Sequence, residues 1–236
     1  MYRLNLARSF FIITILVGIL ISPVFSQAPS LSDGWGLGVI TRAYVPLYNF
    51  YDRFDGGPQF GLKWSYTKNT ITYEIQYFYS KFPSGKIEES TFQWVYDGKN
   101  YQSPEASSEL IFSGVVGNLQ RPFKFNWGRF FPYWGIGAGF IHYKHTIENL
   151  VFPGQSIPPL DLNFTYSPDQ ESRTALSINF GGGINYTISS KLNLSLDLKY
   201  HVLFGYLRPM ESWLLEKVSP LQLFAVGLDF TYYFTK

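Results

Sequence analysis

Strict alternation between large apolar side chains and small or polar ones recurs along this sequence, and it limits the fold more than any other feature. In residues 58–67 the even positions are aromatic or apolar, and the odd positions are Gln, Gly, Lys, Ser and Thr. Residues 192–204 repeat the pattern, with Leu, Tyr, Val and Phe alternating against Asn, Ser, Asp, Lys and His. Successive side chains of a strand point to opposite faces, so this period predicts strands that separate two different surroundings.

The alternation predicts eight strands that follow one another in chain order. They span about 34–45, 58–67, 71–80, 109–118, 131–144, 173–186, 192–204 and 221–234. The connections alternate between short or moderate ones, 68–69, 119–130 and 187–191, and long ones, 46–57, 81–108, 145–172 and 205–220. An antiparallel up-and-down meander produces this arrangement, with turns at one end and long loops at the other.

Two details of the pattern are less regular. Phe78 interrupts the third strand, and in the fourth strand Leu110, Phe112 and Val116 compete with Ile111 and Val115 for the apolar face.

The second and third strands also allow a register to be predicted. If Thr67 and Thr70 flank a two-residue turn, Trp64 lies opposite Tyr73 and Lys63 opposite Glu74, which pairs aromatic with aromatic and base with acid.

Composition decides what surrounds the two faces. The chain is 46% hydrophobic and 19% aromatic but only 15% charged, whereas an ordinary soluble domain carries about 25% charged residues. The polar face consists mainly of small residues, which suits the narrow interior of an eight-stranded barrel better than a solvated outer wall. Nine residues tilted near 45° span roughly 21 Å, close to the ~25 Å apolar band of a transmembrane barrel. A secreted lipocalin-like barrel or a β-sandwich is the alternative.

The N-terminus predicts export. Arg3 and Arg8 precede an apolar run, Phe10–Ile21, and cleavage after Ser26 fits the residues before it. An uncleaved membrane anchor is the alternative, but 12 residues make a helix of only about 18 Å. We therefore expect a signal peptide over 1–26 and a barrel domain over 27–236. Removal of the peptide takes both charges of the formal +2 and leaves 17 basic and 17 acidic side chains.

Three stretches resemble a known family. They are Pro132–Phe140, the glycine-rich Phe180–Tyr186, and the final Gly227–Phe234 with its spaced aromatic residues. Together they resemble the small eight-stranded outer-membrane β-barrels of Gram-negative bacteria, of the OmpA-like and OmpW-like kind, over nearly the whole mature chain. The last stretch looks like the C-terminal signal that the barrel-assembly machinery recognises, although it ends in Thr235 and Lys236 instead of Phe. The resemblance implies an all-β, eight-stranded antiparallel transmembrane barrel in the outer membrane.

Charged residues on the predicted inner face form the most specific candidate site. The bases are Arg42, Lys63, Arg173 and Lys199, and the acids are Glu74, Asp197 and Asp229, with Glu109 as a further candidate. An unpaired buried charge costs several kcal/mol, so near-equal numbers of the two signs predict an internal salt-bridge network. The network either plugs the barrel or acts as the gate of a small-solute conduit, and the sequence leaves both open.

The residues offer little support for catalysis or for a bound cofactor. The chain contains no cysteine, which excludes disulfides and a thiol nucleophile, and its small net charge gives no argument for nucleic acid. His142 falls on the lipid-facing side, His201 faces inward and His145 begins a loop, so no Ser–His or metal-ligating arrangement is predicted. We expect no catalytic, cofactor-binding or metal residues. A lipid-A-modifying enzyme is the least favoured alternative.

The long loops are where an extracellular ligand would bind. One loop holds Thr91–Tyr96, predicted to form a hairpin that extends the neighbouring strand beyond the membrane, and another holds an apolar patch at Trp213. Self-packing of these aromatic residues is the simpler alternative. The expected partners are therefore outer-membrane lipid and lipopolysaccharide, the export and barrel-assembly machinery, and a ligand at the long loops. The sequence predicts a non-enzymatic barrel with a structural or surface-interaction role in the envelope.

Overall fold

The protein is a closed antiparallel barrel of eight strands. The computed structural model describes residues 33–82, 86–87, 89–124, 127–208, 213 and 217–234. Its strands are β1 Gly34–Pro46, β2 Gly57–Lys68, β3 Ile71–Phe82, β4 Thr91–Gln93, β5 Asn100–Gln102, β6 Ser107–Pro122, β7 Phe130–Glu148, β8 Asp169–Thr187, β9 Leu192–Phe204 and β10 Leu221–Phe234. The barrel order is β1-β10-β9-β8-β7-β6-β3-β2, while β4 and β5 pair only with each other. All eight predicted barrel strands are confirmed.

The alternation in sequence becomes an alternation between the outer wall and the interior. Leu62 on β2 is 62% exposed and the next residue, Lys63, is 4% exposed. The outer wall is mostly aliphatic and aromatic, and large apolar side chains are exposed on every barrel strand, although on β6 Val115 is the only one. Exposure of an apolar surface of this extent to water is energetically unfavourable, so the wall faces lipid hydrocarbon. Closing the sheet satisfies every strand edge inside the bilayer.

The two ends of the barrel differ as predicted. We call the end with connections 69–70, 123–129 and 188–191 the turn end, and the end with connections 47–56, 83–106, 149–168 and 205–220 the loop end. Strands β6, β7 and β8 are longer than predicted and rise past the others at the loop end. As a result His145, predicted to begin a loop, lies inside β7 and is buried.

The predicted register between β2 and β3 is wrong by one step of two residues. Lys63 lies opposite Gln76, and Glu74 lies opposite Ser65. The turn residues are Asn69 and Thr70, both with positive φ, rather than Lys68 and Asn69. Two central residues with positive φ match the twist of a two-residue hairpin, and Asn adopts this conformation readily. A slip of two residues keeps every side chain on its predicted face.

The Thr91–Tyr96 prediction is only partly correct. The segment does form a hairpin, but β4 pairs with β5 in a separate two-stranded sheet and does not extend a barrel strand. The predicted signal peptide, residues 1–26, lies outside the described residues. Within the described part of the chain, no helix is both long enough and apolar enough to cross a membrane.

Candidate functional site

Six charged side chains meet inside the barrel, and we call them the ionic network: Arg42, Lys63, Glu74, Asp197, Lys199 and Asp229. Arg42 Nη2 lies 2.5 Å from Oδ2 of both Asp197 and Asp229. Lys63 Nζ lies 3.2 Å from Glu74 Oε1 and 3.2 Å from Asp229 Oδ2, and Lys199 Nζ lies 3.5 Å from Asp197 Oδ2. Three positive and three negative groups therefore neutralise one another within the membrane-spanning part of the barrel.

Neutral amides add hydrogen bonds to Glu74 and Arg42 of the ionic network. Glu74 Oε2 accepts hydrogen bonds of 2.8 Å from both Gln76 Nε2 and Gln120 Nε2. Arg42 Nη1 donates to Gln76 Oε1 at 3.1 Å. Hydrogen bonds of this kind stabilise the charged form of a buried carboxylate, because they replace the water that burial removes.

Two glycines make room for the long basic side chains. A Cβ at Gly227 would lie 2.6 Å from Arg42 Cγ, and a Cβ at Gly38 would lie 3.0 Å from Lys63 Cγ. Both contacts are closer than normal carbon–carbon packing allows. The absence of side chains at these positions lets Arg42 and Lys63 cross the interior to their acidic partners.

The structure corrects two of the predicted inner charges. Arg173 is not part of the ionic network, because it lies at the loop-end mouth, where it pairs with Glu171 and stacks on Tyr206. Glu109 points outward and pairs with Lys81 across the outer wall. Alternation assigns a face but not a height, so it could not separate Arg173 from the charges deeper in the barrel.

The loop-end half of the interior is filled by aromatic side chains, which the sequence did not predict. We call Tyr44, Phe50, Phe54, Phe78, Phe82, Phe112 and Tyr143 the aromatic plug. Phe50 and Phe54 come from the β1–β2 loop, which folds into the mouth, and their rings lie 5.6 and 6.3 Å from the ring of Phe82. Phe82 lies 4.9 Å from Phe112. The irregular positions of the sequence, Phe78 and Phe112, were the available signal.

The side chains of the ionic network and the aromatic plug are inaccessible to bulk solvent. The Arg42 side chain is 1% accessible, those of Asp197 and Asp229 are 0%, and Phe82 and Phe112 are 0% exposed. A water-filled passage would expose the side chains that line it. The described interior is therefore closed in two layers, first by ion pairs and then by aromatic packing.

Above the barrel, three loops pack into a second hydrophobic cluster, which we call the loop cap. Its buried members are Ile87, Phe92, Trp94, Ala106, Ile147, Leu150, Val151 and Trp213. Trp213 packs 4.7 Å from Phe92, and Trp94 Nε1 donates to the Gln155 carbonyl at 2.6 Å. The loop aromatic residues named from the sequence are thus largely self-packed.

The tips of the loop cap expose apolar side chains. Val95 is 76% exposed at the tip of the β4–β5 hairpin, and Ile157 is 78% exposed in the β7–β8 loop. Burial opposes ionisation of Asp97, but hydrogen bonds from the Lys99 amide and the Tyr101 hydroxyl lower the pKa of Asp97. The tip is therefore fixed by a charged hydrogen-bonded turn beside an exposed apolar surface.

The histidines lie as the alternation predicts, except for His145. On the outer wall, His142 Nε2 is 3.0 Å from Ser172 Oγ, and His142 Nδ1 is 3.2 Å from Thr174 Oγ1. A serine nucleophile needs a base that a third group orients and donors that hold the oxyanion. Thr174 supplies no negative charge, and the surrounding strand amides are occupied in the β-ladder. No group of three metal-ligating side chains occurs in the described residues.

Comparison with known proteins tests the predicted fold. No protein-family model matches the sequence, and no curated protein matches it. Among solved structures, a major outer membrane protein from Thermus thermophilus is similar with a TM-score of 0.51 and 12% identity, covering 84% of this chain and 99% of that chain. Neisserial surface protein A, at a TM-score of 0.48 and 11% identity, covers 85% and 97%. The predicted resemblance to small eight-stranded outer-membrane barrels is confirmed at the level of the fold.

Replacing Glu74 by Gln is expected to lower the free energy of unfolding by about 3 kcal/mol, because it leaves Lys63 buried with one partner fewer. Glu109→Gln is the matched control, since its ion pair with Lys81 is exposed and is worth about 0–1 kcal/mol. Urea unfolding of the refolded barrel in lipid vesicles measures both. Equal effects of the two substitutions would contradict a stabilising ionic network.

Proposed function

We propose that this protein is a sealed, non-enzymatic outer-membrane barrel whose role in the bacterial envelope is structural and surface-interacting. The observation that carries the proposal is the closed interior, in which the ionic network and the aromatic plug leave the lining side chains inaccessible to water. A barrel without a passage has its two ends available for function. The loop cap, whose aromatic side chains pack on one another and whose tips are apolar and exposed, is the surface best suited to a ligand.

The same geometry argues against the two alternative functions. A conduit would require both layers to move, which means separating buried ion pairs and repacking the aromatic plug. A lipid-modifying enzyme would require a serine whose histidine is oriented by a carboxylate, and the side-chain hydrogen bonds of both His142 and His145 are to hydroxyls only. We propose that the chain is exported, is inserted by the barrel-assembly machinery through its final strand, and contacts lipopolysaccharide around the loop end.

Epitope accessibility tests this function. An epitope inserted after Gly98, at the tip of the β4–β5 hairpin, is expected to be accessible to antibody on intact Gram-negative cells. The matched control carries the same epitope between Asn69 and Thr70 at the turn end, where we expect detection only after permeabilisation. Detection of the turn-end epitope alone on intact cells would contradict the proposed display of the loop cap.

A further inference from the structure

The turn end carries a concentration of positive charge. Its described charged side chains are Lys68, Arg121, Lys124, Arg129 and Lys191, with a single acid, Asp33. None of the five bases forms an ion pair with another described residue. Asp33 instead accepts a hydrogen bond of 3.1 Å from the Asn69 amide. The five cationic groups are therefore uncompensated within the described chain.

This charge is confined to one end. The ionic network is neutral, and at the loop end acidic side chains outnumber basic ones. The barrel thus has opposite charge at its two ends, although the chain as a whole is nearly neutral. High solubility does not require positive and negative charges to be separated between the two ends of a protein. A negatively charged partner that contacts only the turn end would favour this separation.

Aromatic side chains are interleaved with the bases in the β6–β7 turn. Phe123 is 46% exposed and Trp127 is 63% exposed, between Arg121, Lys124 and Arg129. Backbone hydrogen bonds between Trp127 and Phe130, of 3.0 and 3.2 Å, hold the turn in place. Aromatic residues beside Lys and Arg are typical of the membrane interface, where the ring lies at headgroup depth and the cation meets phosphate.

The neighbouring turn belongs to the same surface. Arg129 Nη1 donates to the Ile188 carbonyl at 3.5 Å, and the Arg129 carbonyl accepts from the Thr187 amide at 3.0 Å. These contacts place the turn that carries Lys191 beside the β6–β7 turn. The basic surface is therefore continuous with the lipid-facing wall below it, whose rim at this end is lined by Trp35, Trp64 and Trp134.

We propose that the turn end is a binding surface for anionic phospholipid headgroups in the adjacent leaflet. The phosphate of such lipids supplies the negative charge that the turn end lacks, while Phe123 and Trp127 enter the interface beside it. Each Lys or Arg near an anionic membrane surface strengthens association by about fivefold. The inference depends on the transmembrane barrel and its charges, and it stands whether or not the loop cap has the proposed role.

The test measures which lipids surround the full barrel. We would refold the exported chain into nanodiscs of phosphatidylcholine with a minor fraction of phosphatidylglycerol, and count the retained lipids by native mass spectrometry. We expect phosphatidylglycerol to be enriched over its bulk fraction, and less so in high salt, because salt screens exposed charge. In the triple variant Arg121→Gln, Lys124→Gln, Lys191→Gln the enrichment is expected to fall about tenfold or more.

The matched control removes three loop-end bases, as Lys99→Gln, Lys144→Gln and Lys217→Gln. This variant is expected to keep the enrichment, and heat-modifiable migration in detergent gels verifies that every variant is folded. Absence of enrichment in the unmodified protein, full enrichment in the turn-end variant, or its loss in the loop-end variant would each overturn the proposal. Binding of a soluble acidic polymer without phosphatidylglycerol enrichment would overturn it in favour of a macromolecular partner.

Discussion

Replacing Arg42 by Met is expected to lower the free energy of unfolding by about 3–5 kcal/mol, the cost of leaving a buried charge without its partner. Among the described ion pairs, only Arg42 bridges the two aspartates. Its Nη2 atom lies 2.5 Å from Oδ2 of Asp197 and 2.5 Å from Oδ2 of Asp229. Without it the two carboxylates face each other with Lys63 and Lys199 as their remaining bases. The measurement is urea unfolding of the refolded barrel in vesicles.

A compensated variant keeps this prediction testable even if Arg42→Met alone does not fold. Combining Arg42→Met with Asp229→Asn removes one charge of each sign and is expected to recover much of the lost stability, because a buried pair contributes little beyond its mutual compensation. An Arg42→Met barrel as stable as the unmodified protein would show that Arg42 does not hold the network together.

Replacing Phe112 by Ala is expected to lower the free energy of unfolding by about 3–5 kcal/mol, because it removes buried surface and leaves a cavity. The Phe112 ring is fully buried and contacts the rings of Tyr44, Phe50, Phe82 and Tyr143. Urea unfolding in vesicles again gives the value. We expect the barrel to stay closed to ions, since the ionic network beneath the plug is intact.

The matched control for this substitution is Phe140→Ala on the adjacent strand. Phe140 is 64% exposed on the outer wall, where lipid chains fill the space that its ring leaves. Its truncation is expected to cost much less than that of Phe112. Equal losses at the two positions would contradict the assignment of Phe112 to a packed interior.

The fold was predictable because a period of two is a local property. The face on which Leu62 or Lys63 lies can be assigned from the local alternation alone, without knowing which strands are adjacent. The positions of the turns follow from where the alternation stops. The Lys63–Glu74 ion pair was predicted correctly although its register was not, because Lys63 is long enough to reach a diagonal neighbour. The shared inner face, the opposite charges and the length of the lysine side chain were sufficient to predict the ion pair, although the residue directly opposite Lys63 was predicted wrongly.

The height of a side chain in the barrel and the path of a loop were not predictable. Arg173 shares the inner face with Lys199, yet it lies at the mouth because β8 rises past its neighbour β9. The aromatic plug depends on a loop, 47–56, that turns back into the barrel, and no periodicity describes such a return. Phe78 and Phe112 interrupt the alternation because they belong to the aromatic plug inside the barrel. Phe78 packs against Tyr44, and Phe112 packs against Phe82.

Planar-bilayer recording of the refolded, unmodified protein tests the sealed interior most directly. Because the side chains of the ionic network and the aromatic plug are inaccessible to bulk solvent, we predict that inserted barrels, verified by heat-modifiable migration, produce no stepwise current above the bare bilayer. The Phe112→Ala variant is predicted to be equally silent. Reproducible steps to a stable open level in the unmodified protein would contradict the sealed barrel and support the small-solute conduit.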